Sequence, residues 1–187
     1  MTHVTSQLDG RFRAAAADAG LLDAAYDLVD TPIGTLLVAA TETGICRISF
    51  DPEPEWEVEQ LSRLLGTKIL RVAKPVDEAR RQLDEYFERR RTEFELAVDL
   101  RLSAEFSRRV LEELAKVPYG ETTTYGALAV RAARPRAARA VGTVMNRNPI
   151  PIVLPCHRVV GSTGSLVGYG GGLERKEQLL RLEGALL

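Results

Sequence analysis

TTYGALAVRAARPRAARAVGTVMN, residues 123–146, decides the fold of the C-terminal half. Thr123 or Thr124 can cap a helix over Tyr125 to Ala132, because a threonine hydroxyl accepts from the free N–H groups of a first turn. Arg134-Pro135 breaks that helix, since proline has no N–H to donate and clashes with a preceding turn. A second helix follows and ends near Asn146. Two short helices about a tight turn predict a helix-turn-helix. Residues 131–147 hold five arginines (131, 134, 136, 139 and 147) and no acid. Between them lie Ala132, Ala133, Ala137, Ala138, Ala140 and Gly142. Such a backbone can come close to a polyanion while arginines such as Arg136 and Arg139 bind phosphates. Val141, Val144 and Met145 turn the other face to a core. Short side chains cannot reach far into a major groove, so a shallow or minor-groove approach with little sequence preference fits. The plainer reading is an exposed arginine-bearing helix with no ligand.

Upstream, Ser103 is the expected N-cap of a helix with Phe106, Val110, Leu111 and Leu114 on one face. Pro118-Tyr119-Gly120 stops it. Downstream come a proline-rich apolar run, a glycine-rich loop and a last helix over Leu173–Leu182. In the N-terminal half, Tyr26–Val29, Thr35–Ala40 and Gly44–Phe50 are β-prone runs with turns between them, an antiparallel meander. A helix is expected over Trp56–Leu65 and a further strand over Lys68–Ala73. Pro75 suits the first turn of another helix, with Ala79, Leu83, Tyr86 and Phe87 at core spacing through Arg90. Residues 94–100 alternate and are expected to pair back with the meander. Residues 1–23 read as an extension, a tail or loose helix. The fold class is α/β: an N-terminal α/β domain with an antiparallel sheet over 24–100, then a mainly helical domain over 101–187 with a winged-helix-like helix-turn-helix.

Bulk properties narrow the function classes. Hydrophobic residues make up 45% of the 187, which argues against a disordered chain. No apolar run approaches the ~20 residues that span a bilayer, and no secretory signal opens the chain. Two cysteines, Cys46 and Cys156, cannot build a disulfide framework, so a cytoplasmic, reducing setting is expected. Charge is segregated. Residues 1–100 hold 12 Lys/Arg against 19 Asp/Glu, a balance of −7, and residues 101–187 hold 13 against 7, a balance of +6. The C-terminal half is therefore the one suited to a polyanion.

NPIPIVLPCHRVV, residues 148–160, is the most informative stretch for chemistry, although a Cys-His dipeptide taken alone reads as a buried thiol beside a chance neighbour. Three prolines fix φ and hold their neighbours extended, so Cys156 is delivered on a rigid apolar support. A cysteine nucleophile needs a base beside it. Of the two histidines, His3 lies in the extension and His157 follows the cysteine at once. Adjacent side chains on an extended chain point apart, so a turn at Pro155–Cys156 is required for the two to cooperate. A carboxylate should orient the imidazole, and Glu174, Glu177 and Glu183 are all in reach by spacing. Cys46, between Ile45 and Arg47 in a strand, reads as a structural thiol. GSTGSLVGYGGG, residues 161–172, lacks the lysine ending of a phosphate loop and reads as a mobile connector or an adaptable wall.

Pro155-Cys156-His157-Arg158-Val159-Val160 resembles the signature of the O6-alkylguanine-DNA alkyltransferases. Pro118–Glu121, Thr124-Tyr125-Gly126, Ala137–Gly142, Asn148-Pro149, Gly168–Gly172 and Leu182-Glu183-Gly184 fall in that family's order, and the clear likeness covers residues 101–187. The resemblance implies that Cys156 accepts the alkyl group, that His157 takes its proton through a water, and that Glu183 orients His157. Asn148 would brace the active-site turn. Tyr125 would donate its hydroxyl to the base and crowd its phosphate. Arg139 would fill the gap left by an extruded nucleotide, with Arg136 and Ala138 beside it on the DNA. Tyr169 and Gly170 would wall the pocket, and the Cys156 and Val159 carbonyls would read the guanine amino group. No metal and no cofactor are implied. The implied partner is double-stranded DNA containing O6-alkylguanine, with O4-alkylthymine and cooperative binding left open, and a monomer is expected.

Three other readings compete. A non-enzymatic lesion binder of the alkyltransferase-like kind lacks the acceptor cysteine, which Cys156 opposes. A Cys-His-Glu hydrolase would turn over without DNA. A helix-turn-helix regulator would show sequence preference and dimerise.

Overall fold

A computed structural model describes residues 2–186, with side chains described from residue 8. Met1 and Leu187, the ends of the extension and of the C-terminal domain, lie outside the described residues. The chain divides into two compact units: residues 1–84 with 96–99, and residues 85–95 with 100–187.

In the first unit the extension is helical, α1 (Thr2–Asp18). The sheet contains β1 (Ala24–Thr31), β2 (Gly34–Ala40), β3 (Ile45–Phe50) and, after α2 (Pro54–Leu65), the short β4 (Ile69–Arg71). Strand order is β3-β2-β1-β4. The first three strands form the expected antiparallel meander, whereas β4 runs parallel to β1. Parallel pairing needs a crossover, and α2 supplies it. Ala24, Leu37, Ala39, Cys46 and Ile69 share a core with Leu61 of α2. Cys46 is buried there, with its thiol 3.5 Å from the Ala39 carbonyl. Residues 94–100 contribute less pairing than expected, a single parallel bridge between Ile45 and Val98. The helix α3 (Asp77–Phe87) follows a 3-10 turn at Lys74–Val76 and buries Ala79, Leu83 and Tyr86. It ends before Arg90, because Arg89 takes a left-handed φ of 59°.

The second unit begins with the end of α3 and continues with α4 (Glu105–Ala115). Ser103 does not cap α4. The N-cap is Ala104, with no side-chain hydrogen bond, so the expected serine cap is one residue early. Thr124, in β5 (Thr123–Thr124), does cap α5 (Tyr125–Arg131), accepting from Ala127 N at 3.1 Å. The helix α6 (Ala138–Asn146) follows. Val110, Leu111 and Leu114 of α4, Leu128 and Ala129 of α5, and Val141 and Met145 of α6 are buried, and the three helices pack on one another. β5 pairs in parallel with β6 (Val159–Val160), Thr123 opposite Val159 and Thr124 opposite Val160. That register ties the segment after Cys156 to the start of α5, where Tyr125 stands. The last helix, α7 (Leu173–Leu182), has the expected bounds.

The turn after α5 depends on Ala133, which adopts φ 59° while Arg134 N reaches the Ala129 carbonyl at 2.8 Å. A left-handed C-terminal cap of this kind favours glycine, and alanine there costs about 1 kcal/mol. Ala133→Gly is expected to raise unfolding stability by about 0.5–1 kcal/mol in urea titrations. A loss of stability would contradict this account of the turn.

Candidate active site

Cys156 opens a 3-10 turn, Cys156–Arg158, and is 4% exposed. Cys156 and His157 therefore lie on a turn and not on extended chain, the condition that the sequence set. It rests on Asn148, whose Nδ2 donates to the Leu154 carbonyl at 2.7 Å and whose Oδ1 accepts from Ile150 N at 3.1 Å. Leu154 N returns to the Ile150 carbonyl at 2.9 Å. Inside this loop Ile152 is fully buried with φ 74°, a conformation rare for a β-branched residue. Such strain costs on the order of 1–3 kcal/mol and persists only where the surroundings over-determine it. The bracing by Asn148 and the flanking prolines does so here.

Glu183 is the carboxylate that meets His157, Nε2 to Oε1 at 2.8 Å. Glu174 is exposed, and Glu177 pairs with Arg181 at 2.9 Å. Glu183 occupies the C-cap of α7, and Gly184 turns the chain immediately after it with φ 75°. The carboxylate accepts five hydrogen bonds: from His157 Nε2, from Arg158 Nε and Nη2 at 2.9 Å each, from Tyr86 OH at 2.6 Å, and from Gly120 N at 3.3 Å. Gly120 has φ 76°, and a Cβ there would press on the Glu183 carbonyl at 3.0 Å. Arg158 also donates to the Val117 carbonyl at 2.6 Å.

The electrostatics follow from burial and pairing. Burial alone would raise the Glu183 pKa, but hydrogen bonds and charge from His157 and Arg158 bring it down to about 2. Burial lowers the His157 pKa, with Glu183 opposing. The resting pair is thus a carboxylate and a neutral imidazole. A carboxylate only accepts, so Nε2 carries the proton and Nδ1 the lone pair. Nδ1 is buried and has no hydrogen-bond partner among the described residues. Burial pushes the Cys156 thiol up to about 11, with Asn148 and Lys176 opposing. At neutral pH the sulfur is a thiol, and its proton must be removed before it can attack.

Lys176 of α7, fully buried, donates to the carbonyls of Val159 at 2.6 Å, Val167 at 2.8 Å and Gly168 at 3.4 Å. Burial pulls its pKa down to about 8. Three acceptors match the three N–H groups of an ammonium, so the site holds the charged form. Tyr125 OH donates to the same Val167 carbonyl at 3.1 Å. Burial raises the pKa values of Tyr125 and Tyr169, and a thiolate at Cys156 would raise them further. Gly170 lies against the Asn146 carbonyl, which a Cβ would meet at 3.5 Å. The Val159 carbonyl, already serving Lys176, keeps a second lone pair for a ligand.

The structure therefore gathers Cys156, His157, Glu183, Asn148, Tyr125, Val159, Tyr169 and Gly170. Arg136, Ala138 and Arg139 belong instead to α6 and the turn before it. Arg131, Arg134, Arg136, Arg139 and Arg147 are all exposed, and Arg134 covers the Phe106 ring at 5.3 Å. Sequence reasoning missed Arg158 as the counter-charge of Glu183, Lys176 as the carbonyl tie, and Tyr86, which it read as core. Among the described residues no cluster of His, Cys, Asp and Glu is arranged to hold a metal ion, and no helix is long and apolar enough to cross a membrane.

Comparison with known proteins adds to this geometry. Residues 24–100 match the family described as 6-O-methylguanine DNA methyltransferase, ribonuclease-like domain, and residues 105–185 match its DNA binding domain. The methylated-DNA–protein-cysteine methyltransferase of Methanosarcina barkeri is 42% identical over 170 residues, covering 84% of this chain and 96% of the relative. The namesake from Mycolicibacterium paratuberculosis is 43% identical over 163 residues, covering 84% and 91%. Among solved structures, Mycobacterium tuberculosis OGT in complex with DNA matches with TM-score 0.75 and 38% identity, covering 86% of this chain and 93% of that one.

The Glu183 pKa carries a stability prediction. It is lowered on folding, so its contribution is complete above the ordinary value of 4.5 and is lost as pH falls toward about 2. At neutral pH removing the charge that faces the buried Arg158 costs about 3 kcal/mol. Glu183→Gln should therefore be less stable by about that amount at neutral pH, with the gap narrowing below about pH 4.5. A gap that stays constant from about pH 6 to about pH 3 would contradict the assignment.

Proposed function

The chain belongs to the 6-O-methylguanine DNA methyltransferase family, and from that premise we propose that it repairs alkylated DNA by moving the alkyl group from O6 of guanine onto Cys156. The observation that carries the proposal is the buried Cys156 thiol followed in one tight turn by a neutral His157 whose Nδ1 is left open by the Glu183 bond.

The chemistry proceeds as one displacement. His157 Nδ1 takes the thiol proton through a bridging water, and the imidazolium so formed is held by Glu183. Sγ attacks the alkyl carbon. The carbon–sulfur bond forms as the carbon–O6 bond breaks, and the electron pair goes to the purine. Tyr125 OH and a backbone N–H near Gly170 donate to the departing base, which leaves as ordinary guanine once it regains a proton. The product is a thioether with no hydrolytic exit, so each molecule acts once. The reaction asks for no metal and no redox cofactor.

A sulfur this enclosed cannot reach a base inside the stack, so the nucleotide swings out of the duplex. Extrusion costs a few kcal/mol, which Arg139 offsets in part by filling the gap. Arg136 and the small Ala138 let α6 lie close to the backbone. Tyr169 and Gly170 wall the base, and the Cys156 and Val159 carbonyls accept from its amino group. Residues 101–187 act as the DNA-binding and acceptor domain, residues 24–100 as its companion, and residues 1–23 as an extension. The partner is duplex DNA bearing O6-alkylguanine. The protein acts as a monomer in the cytoplasm, where a free thiol stays reduced.

Two variants test this reading. Cys156→Ala should abolish methyl transfer yet bind a duplex containing O6-methylguanine within about threefold of wild type, a difference under about 1 kcal/mol. Transfer that persists would place the acceptor elsewhere. Arg139→Ala should slow transfer from duplex DNA by about tenfold or more, the loss of a residue that offsets extrusion. Transfer from a free O6-alkylguanine base should be unchanged, and equal losses on both substrates would remove Arg139 from base extrusion.

A further inference from the structure

Glu183 Oε1 accepts from three residues: His157 Nε2 at 2.8 Å, Arg158 Nη2 at 2.9 Å and Tyr86 OH at 2.6 Å. The mechanism uses the first, and charge balance accounts for the second. Tyr86 has no task in it, although its contact is the shortest of the three. Its ring is fully buried beside Phe87, Phe94 and Tyr119, with centroids 5.3 to 6.0 Å away. Phenylalanine would pack in that aromatic nest equally well, so packing does not explain the hydroxyl. Burial, and after it the Glu183 charge, keep the phenol protonated, which makes it a permanent donor.

We propose that Tyr86 is a positioning residue for the alkyl transfer: its hydroxyl fixes Glu183 Oε1 and shares its charge, so that His157 keeps its proton on Nε2 and presents an unprotonated Nδ1 to the thiol. The proposal rests on the reading of Cys156 as acceptor and His157 as base. A carboxylate oxygen divided among three donors attracts the imidazole N–H less than one divided between two. It therefore stabilises the imidazolium less, and the imidazole stays neutral and ready over a wider pH range. Other groups also act on the pair. Arg158 lies in the same turn as His157, Lys176 acts on His157 from α7, Tyr119 and Tyr169 act on Glu183, Tyr119 acts on Tyr86 as well, and Gly120 N serves the opposite oxygen, Oε2. Tyr86 is thus the neutral side-chain donor on the oxygen that faces His157.

The test compares wild type with Tyr86→Phe, following methyl transfer from an O6-methylguanine duplex across pH and His157 by 15N NMR. The chain has two histidines, so His3→Gln assigns the signals. On the acidic limb Tyr86→Phe should transfer about tenfold more slowly, because a His157 titration moved up by about one pH unit leaves about tenfold less neutral imidazole. Its His157 should titrate at higher pH than in wild type, and the acidic limb of the rate profile should move up with it. An unchanged rate on that limb, or a slower rate with an unmoved His157 titration, overturns the proposal. Wild-type protein that takes up no methyl group would instead sink the reading of Cys156, and Tyr86 with it. Should phenylalanine cost the fold, wild-type protein decides: a slowly exchanging Tyr86 hydroxyl proton with a cross-peak to the His157 Nε2 proton supports the role, and its absence overturns it.

Discussion

The Glu183 carboxylate must stay ionised inside the protein, and the rest of the site is arranged around that requirement. A buried charge is costly unless it is paired and fully hydrogen-bonded. Glu183 meets both conditions, through the Arg158 guanidinium and through donors from α3, the Gly120 turn and the 3-10 turn. Each donor is held by separate local structure. Gly184 stops α7 where its last side chain points inward, Gly120 clears space for a backbone N–H, and Asn148 fixes the turn that carries His157 and Arg158. The arrangement is weak evidence for net stability, since a buried pair often does no better than apolar packing. Its effect is on chemistry: a permanent anion decides which imidazole nitrogen holds the proton. That nitrogen being Nε2, the lone pair on Nδ1 faces away from Glu183 and is left open for the proton transfer proposed above.

Lys176 and Asn148 do for the pocket what Glu183 does for the base. One ammonium gathers the carbonyls of Val159, Val167 and Gly168, so the strand after Cys156 and the glycine-rich loop are tied together. Tyr125 is tied to the same Val167 carbonyl. In the proposed reaction a base entering beside Cys156 would compete with this internal hydrogen bond of Tyr125. The arginines of the helix-turn-helix answer a different demand. They stay exposed, and their alanine neighbours keep the surface shallow, so that backbone approach is set by charge and small size.

Periodicity was enough to read the elements that bury an apolar face. The meander, α2, α5, α6 and α7 follow from alternation, helical spacing, proline and glycine, and Thr124 follows from capping chemistry. Ser103 misled because Ala104 begins α4 without a side-chain cap, a choice that burial of Val110 and Leu114 overrides. The parallel direction of β4 was not legible, since three residues carry no sign of their orientation. In the site, the proline frame drew notice to Cys156 and His157, the resemblance gave them their roles, and the requirement for a turn between them was legible as a condition. Glu183 could not be chosen over Glu174 and Glu177 by spacing alone and needed the resemblance or the fold. Arg158, Lys176 and Tyr86 were silent because each looks ordinary in its own segment. Their roles arise from partners 8 to 97 residues away in the chain, as with Lys176 and Gly168 or Tyr86 and Glu183.

The most direct test of a self-alkylating acceptor is intact-protein mass spectrometry after incubation with excess duplex DNA containing O6-methylguanine. The account predicts one methyl gain per chain, mapped to Cys156 by peptide fragmentation and absent with undamaged DNA. Repeated turnover without any gain in protein mass, or a methyl group mapped to a residue other than Cys156, would contradict it.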